Sequence, residues 1–390
     1  MAHFISMETT LTIRRIGAGD IAVGRALAWD VHGEMGALLV RRGHVVASEN
    51  QLEMLLERGY IPDDDAAVPA PAAYRDPPSV LRLLNLANSQ LQLVLQDIAN
   101  ARNAGPEQPA KRLSEVARLL IEAVELDQEV ALGCILLNQK SGLYAIRHSV
   151  DTAIVSLIVG RGLKKTTEQL QLLVLAALTM NLGLLQHHER LQNHSSDLSD
   201  ADRALIHAHP QAGVDLLRQA GIADEAWLAC VLEHHENDDG SGYPLGKRGS
   251  EISAAARIVA LADRYIARVC ARAYRKPMLP NAALREILLE SQQPAQSQPM
   301  ITILIRELGI YPIGTFVRLY NGEIGVVTRK GVTTTMPYVH ALVGPRGAPL
   351  ELPLRRSAQG DTYGIREVLE EEQAGVTFRL EQLWGAVARV

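Results

Sequence analysis

The chain is poor in cysteine, carries little net charge, and has no hydrophobic run of membrane length; each shortage removes a class of protein. Its three cysteines, Cys134, Cys230 and Cys270, lie far apart in 390 residues and form no CxxC pair. That argues against a disulfide framework or a structural zinc knot, and buried, reduced thiols in a cytoplasmic protein are the expected state. Formal net charge is −5 with the signs mixed along the chain, so no basic field marks a general nucleic-acid or membrane-surface binder. Any anionic ligand must be captured locally. The N-terminus has no basic region followed by an apolar core, and a secretory leader is not expected. The most apolar run, Leu170 to Leu185, is interrupted by Gln171, Thr179 and Asn181. It falls short of the roughly 20 residues that span a bilayer and reads as a buried core helix. No repeat of solenoid length is present.

What is there is a chain of 47% hydrophobic residues, long enough for two or three modules and at least one sizeable core. Residues 1–61 read as a small N-terminal α+β module. Its alternating segments are punctuated by Gly17-Ala18-Gly19-Asp20, His32-Gly33 and Arg42-Gly43, and a helix is expected over Glu49 to Arg58. Residues 62–78 hold five prolines and the acidic triplet Asp63-Asp64-Asp65, a composition that reads as a linker.

From Ser79, a plausible N-cap, the period becomes helical, with Leu81, Leu84, Leu91, Leu95 and Ile98 on one face. A second long helix is expected over Ala110 to Lys140, with Leu113, Val116, Leu119, Leu120, Ala123 and Val124 aligned. These stripes in 79–140 could face the core or a second subunit, giving a homodimer. Further helices are expected over 141–309, broken by a Gln/Ser/Pro-rich loop at Ser291 to Pro299. The tail, 310–390, is β-rich: Gly314 to Thr328 reads as a hairpin closed by Asn321-Gly322, the preferred pair for a two-residue type I′ turn.

Several histidines and one aspartate sit in or beside apolar helical segments. They are His148, His209, His234, His235 and Asp263. Neutral imidazoles and a carboxylate suit Fe, Mn or Zn, and two such ions about 3.5 to 4 Å apart can stabilise the attacking and leaving oxygens of a phosphodiester. Spacing alone does not unite them. Only a fold could bring them together, and taken singly each is more often a satisfied core or surface histidine than a ligand.

The order of the motifs supplies that fold. Arg147-His148-Ser149, His209-Pro210 with Gly213, His234-His235-Glu236 with Asp239-Gly240-Ser241-Gly242-Tyr243-Pro244, Ala262-Asp263-Arg264-Tyr265, and Arg272-Ala273-Tyr274-Arg275 together resemble an HD-GYP domain over roughly 144–275. Gly36 to Gly59 and the Tyr311 to Glu323 region resemble that domain's usual flanks. The resemblance implies a mainly α, HD-superfamily helical bundle and metal-dependent opening of cyclic di-GMP. It implies His148, His209, His234, His235 and Asp263 as ligands of one or two transition metals. It also implies a pocket shaped by Asp239, Gly242, Tyr243 and Pro244, with Arg272 and Arg275 toward the ligand phosphates; Lys247, just past the turn, could serve the same end or form a solvated positive edge. The same loop is a docking surface for diguanylate cyclases by that resemblance.

The chain departs from the pattern in one turn of helix. The name-giving His-Asp pair is replaced by Met180-Asn181, and the lysine that follows the glycine is Leu184. A thioether suits Cu(I), and an amide oxygen brings no negative charge to bridge two dications. Tyr144 stands where three-metal versions carry a glutamate, so a third metal is not expected. His187, His188 and His194 lie just downstream in a polar stretch and are expected in water. The expectation is therefore a degenerate signalling protein that binds cyclic di-GMP or a protein partner with little hydrolysis. The alternative is an active phosphodiesterase with a remodelled metal site.

Overall fold

The computed structural model describes residues 13–17, 19–33, 37–62, 78–100, 107–138, 142–192, 199–270, 276–290 and 298–390. The chain divides into two compact units, Met1–Pro77 and Pro78–Val390. The proline-rich linker lies almost wholly outside the described residues, as do His194, Arg272 and Arg275.

In the first unit, strands Ile13–Arg15, Tyr60–Pro62, Val31–His32 and Leu38–Val40 form an antiparallel sheet in that spatial order. The helix Glu49–Arg58 begins at Ser48, whose hydroxyl accepts the Gln51 amide, an ordinary N-cap that satisfies one of the orphan donors of the first turn. Leu55 from this helix joins Ile16, Ile21, Leu27, Val31, Val46 and Ile61 in a small core of its own.

The second unit is a helical bundle with a β extension. Its centre is the helix Tyr144–Gly162, buried on every side from Ser149 to Gly160. A helix that turns no face to solvent must be enclosed by others. Val80–Ala99, Glu107–Leu126, Thr167–Thr179, Ala254–Val269 and Gln298–Leu308 pack around it. The two stripes of the 79–140 region face this core: Leu81, Leu84, Leu91, Leu95 and Ile98, and Leu113, Val116, Leu119, Leu120, Ala123 and Val124, are all buried within one hydrophobic cluster. Their apolar area therefore needs no second subunit to cover it.

Two expectations about this region are corrected. The single helix expected over Ala110 to Lys140 is two, Glu107–Leu126 and Gln128–Leu137. Asp127 breaks it, because its carboxylate accepts the Glu129 and Val130 amides and caps the second helix. The apolar run around Leu173 to Leu178 is buried, as a core helix should be. With the 3₁₀ turn that follows, however, it reaches membrane length: Thr167–His187 is the one described stretch long and apolar enough to cross a bilayer, and half of its most apolar window is buried in the bundle.

The C-terminal sheet is antiparallel, in the order Pro349–Ser357, Tyr338–Val343, Ile324–Arg329, Phe316–Leu319, Ile365–Leu369. The expected hairpin is present, with a different turn. Leu319 donates its amide to Glu323 O at 2.9 Å, and Gly322 donates to Leu319 O at 3.0 Å, so the loop has three residues. Gly322 alone takes positive φ, at 90°. This matches the three-residue loop in which a tight turn is followed by a left-handed glycine, whereas a type I′ turn needs positive φ at Asn321 as well.

Candidate metal centre

The His-Pro and His-His motifs orient their imidazoles through defects in helical hydrogen bonding. Pro210 sits inside the helix Asp200–Gln219. It has no N–H, so the carbonyl four residues earlier, that of Ile206, loses its helical donor. His209 takes the vacancy: its Nδ1 lies 2.6 Å from Ile206 O. His234 caps the C-terminus of Glu225–Glu233, where the last carbonyls have no intrahelical donor. Its Nδ1 lies 2.6 Å from Val231 O. In both rings Nδ1 must therefore carry the proton, and Nε2 presents a lone pair.

Those lone pairs meet. His209 Nε2 and His234 Nε2 are 3.3 Å apart in the interior, with no proton left to place between them. Burial pushes both imidazoles down to about 3, and neighbouring rings reinforce the effect. His235, lowered to about 4 chiefly by burial, completes a group whose ligand atoms all lie within 4.8 Å of one another. Two nitrogens on a tetrahedral ion at about 2.0–2.1 Å stand about 3.3 Å apart, so the His209–His234 separation is that of a ligand pair. Asp263, from Ala254–Val269, places its field on all three rings in the sense that favours positive charge. The three imidazoles fit one transition-metal ion, and a cation removes the repulsion between their lone pairs.

The remaining expected ligands, His148 and Asp263, contact each other. His148 Nε2 and Asp263 Oδ1 form a buried hydrogen bond of 2.6 Å. The other nitrogen of His148 lies 3.3 Å from the Tyr144 hydroxyl, and the Tyr144 ring stacks on the imidazole. Burial opposes ionisation of Asp263, but the His148 hydrogen bond and the surrounding imidazoles hold its carboxyl below the usual carboxylate range. Met180 is fully buried in the hydrophobic core. Asn181 makes no side-chain cap to the 3₁₀ turn Leu182–His187 that it starts, and Leu184 is half-buried in that turn.

Gly183 keeps a structural role: a Cβ there would lie 2.3 Å from His209 O and 2.8 Å from Gly213 N. Only glycine lets this turn lie against the His209 helix. His187 and His188, expected in water, are half-buried. The 3₁₀ turn runs straight into the short helix His188–Gln192, and the His188 ring meets Tyr144 edge-on at 5.5 Å.

The glycine-tyrosine-proline loop is built on buried carboxylates that its motif does not advertise. Glu236 accepts the Leu245 and Lys247 amides at 2.6 and 2.9 Å. Glu233 accepts the Ser253 amide at 2.8 Å and pairs with Lys247 Nζ at 2.5 Å. Lys247, expected to face ligand phosphate, is thus held by the loop's own framework. Asp238 pairs with Arg257 Nε at 2.9 Å. Asp239 accepts the Ser241 amide and hydroxyl at 2.9 and 2.6 Å, a local turn.

At Gly242 an added Cβ would lie 2.4 Å from Asn237 N and 2.5 Å from Glu236 Cα, so the loop closes on itself only with glycine. The Tyr243–Pro244 peptide is cis. This framework presses the Tyr243 ring onto His235, 4.8 Å between centroids at 29°. On its other side lies His207, 4.3 Å away at 21°. Of these carboxylates only Asp239 was singled out in the sequence; the structural roles of Glu233, Glu236 and Asp238, and His207 itself, were not. The dense run Glu233 to Asp239 was the available signal for the former, and nothing but the i−2 position from His209 marks the latter.

The bundle, the ordered motifs and the triad of imidazoles define an HD-type helical domain. Comparison with protein families agrees: residues 93–295 match the HD domain. The chain belongs to the HD domain family and, by its motifs, to the HD-GYP group within it. It is 28% identical over 276 residues to a cyclic di-GMP phosphodiesterase of Pseudomonas aeruginosa, a match that spans 69% of this chain and 65% of that protein. It is 23% identical over 237 residues to the cyclic di-GMP phosphodiesterase PdeB of Borreliella burgdorferi, over 60% of this chain and 62% of that one. The chain thus spans somewhat less than two thirds of the length of these relatives. A solved HDGYP protein from Bdellovibrio bacteriovorus gives a TM-score of 0.42 at 16% identity over 75% of this chain and 98% of its own.

Proposed function

We propose that this chain is a cytoplasmic cyclic di-GMP receptor of the HD-GYP group, holding one transition metal and hydrolysing its ligand poorly or not at all. The observation that carries the reading is the asymmetry of the pocket. Three imidazoles converge with unshared lone pairs, while His148 and Asp263 satisfy each other and Met180 is packed into the core. A single Zn, Fe or Mn would supply a Lewis-acidic position for one phosphate oxygen and, in part, polarise water. It does not supply the clamp on attacking and leaving oxygens that two adjacent ions give.

His209, His234 and His235 would hold the ion; the Ile206 and Val231 carbonyls fix two of those rings, and the Asp263 carboxylate would offset the ion's charge. The loop around Tyr243 walls the pocket and offers a surface to a protein partner such as a diguanylate cyclase. A slow phosphodiesterase is the second reading, because a metal held by three imidazoles would supply Lewis-acid chemistry to a bound water. The relatives' names support the ligand class.

The test is calorimetry with cyclic di-GMP beside a turnover assay on the metal-loaded chain. Micromolar binding with the dinucleotide recovered intact is the expected result. Steady conversion to linear product favours the second reading. No heat at high micromolar ligand leaves only a protein-docking role.

A further inference from the structure

The ring stack around Tyr243 continues past the metal pocket, and its outermost member has no part in holding a metal. His207 lies on Asp200–Gln219, two residues before His209, and is exposed. Its ring is nearly parallel to that of Tyr243 at 4.3 Å, and Tyr243 is nearly parallel to His235 at 4.8 Å. The phenol ring therefore separates His207 from His235, which keeps His207 out of the ligand set. The order from inside to outside is ligand imidazole, phenol, imidazole, solvent.

Parallel offset rings attract, and every nucleobase has a face that can extend such a stack. The platform is preorganised: Gly242 closes the loop, and Glu233, Glu236 and Asp238 hold its backbone and flanking cations. Little ordering is left to be done when a planar group arrives. A nucleotide has the matching pair of features, an anionic phosphate for the metal pocket and a planar base beyond it.

We propose that His207 is a base-stacking residue whose outer face receives a purine of the bound dinucleotide. The inference rests on the nucleotide-receptor reading above and adds the residue that grips the base. An aromatic side chain of a docking protein is the competing occupant.

The probe is a cyclic dinucleotide with 2-aminopurine in place of one guanine, whose fluorescence is quenched by stacking, titrated into the metal-loaded full chain. Wild type should quench it. His207→Ala, a substitution that favours the helix, should weaken binding by about 10-fold or more, and His207→Phe should retain most of it. Metal content and inorganic phosphate binding should be unchanged in both variants. Equal probe affinity in His207→Ala and wild type overturns the proposal and leaves the stack free for a protein partner. Loss of metal in step with probe binding also overturns it, since His207 would then serve only to hold His235. If wild type does not bind the probe, the nucleotide reading itself falls, and the variants are not needed to see it.

Discussion

The two halves of the pocket are made of the same kinds of side chain and have reached opposite states. His209 and His234 are held by backbone carbonyls that take their Nδ1 protons, so their free nitrogens face each other across 3.3 Å, and His235 brings a third ring nitrogen within 4.8 Å of them. His148 and Asp263, on facing helices, have bonded to each other at 2.6 Å. On the proposed reading, a metal site keeps its ligands unsatisfied until the ion arrives, whereas a pair that satisfies itself serves as buried polar structure. Asn181 and Met180, which offer neither a carboxylate nor an imidazole, fit this division.

The comparison can be broken most severely at the triad. His234→Ala should abolish stoichiometric metal binding, with an affinity loss beyond the roughly 10- to 100-fold typical of outer-shell changes. His148→Ala should leave the metal count unchanged. Equal losses in the two variants, measured by elemental analysis after dialysis, would erase the distinction between the halves.

Restoring the missing pair is the converse. Met180→His with Asn181→Asp should raise the metal count above that of the parent before any turnover returns. It should also lower thermal stability, because position 180 lies in the hydrophobic core and a buried imidazole without its metal costs about 1–3 kcal/mol. An unchanged metal count in a folded double variant would mean that the second position is sterically closed.

A third change sharpens the contrast between site and scaffold. Asp151, on the same helix as His148, is buried and has its carboxyl raised to about 8, chiefly by burial and partly offset by Arg147. Its folded pKa exceeds its unfolded value, so the native state binds the extra proton between about pH 4 and 8 and stability falls as pH rises through that window. Asp151→Asn should flatten this slope and be the more stable protein at pH 8, by up to about 5 kcal/mol, with metal binding untouched. Denaturant midpoints at pH 5 and pH 8 measure it, and parallel pH slopes in both proteins would refute the assignment.

The smallest effect is expected at Lys247. Lys247→Met leaves the buried Glu233 carboxylate without its cation and should cost about 1–3 kcal/mol of stability. Phosphate affinity should change little, since this ammonium is committed to the loop. A large fall in phosphate affinity at unchanged stability would return Lys247 to the ligand.

Much of the architecture was legible because local signals were strong. Ser79 as a cap, the Glu49–Arg58 helix and the buried stripes from Leu81 and Leu113 follow from period and capping chemistry. Asp127 escaped notice because a capping aspartate inside a continuous apolar period looks like a surface residue until its hydrogen bonds are known. The turn at Asn321-Gly322 was located correctly and given the wrong length, since the dipeptide serves more than one loop.

The metal residues were legible only through the order of family motifs. Their separation along the chain carries no geometry, and whether His148 and Asp263 would bond to each other is a tertiary fact. His207 carried no signal of its own: an exposed histidine on a helix becomes notable only when Tyr243 is placed against it.

The measurement closest to the central claim is the number of transition-metal ions retained by the purified full chain after exhaustive dialysis, from a preparation loaded with Zn, Fe or Mn. The account predicts one equivalent per chain, lost in His209→Ala and retained in His148→Ala. Two equivalents per chain, with one lost in His148→Ala, would contradict it.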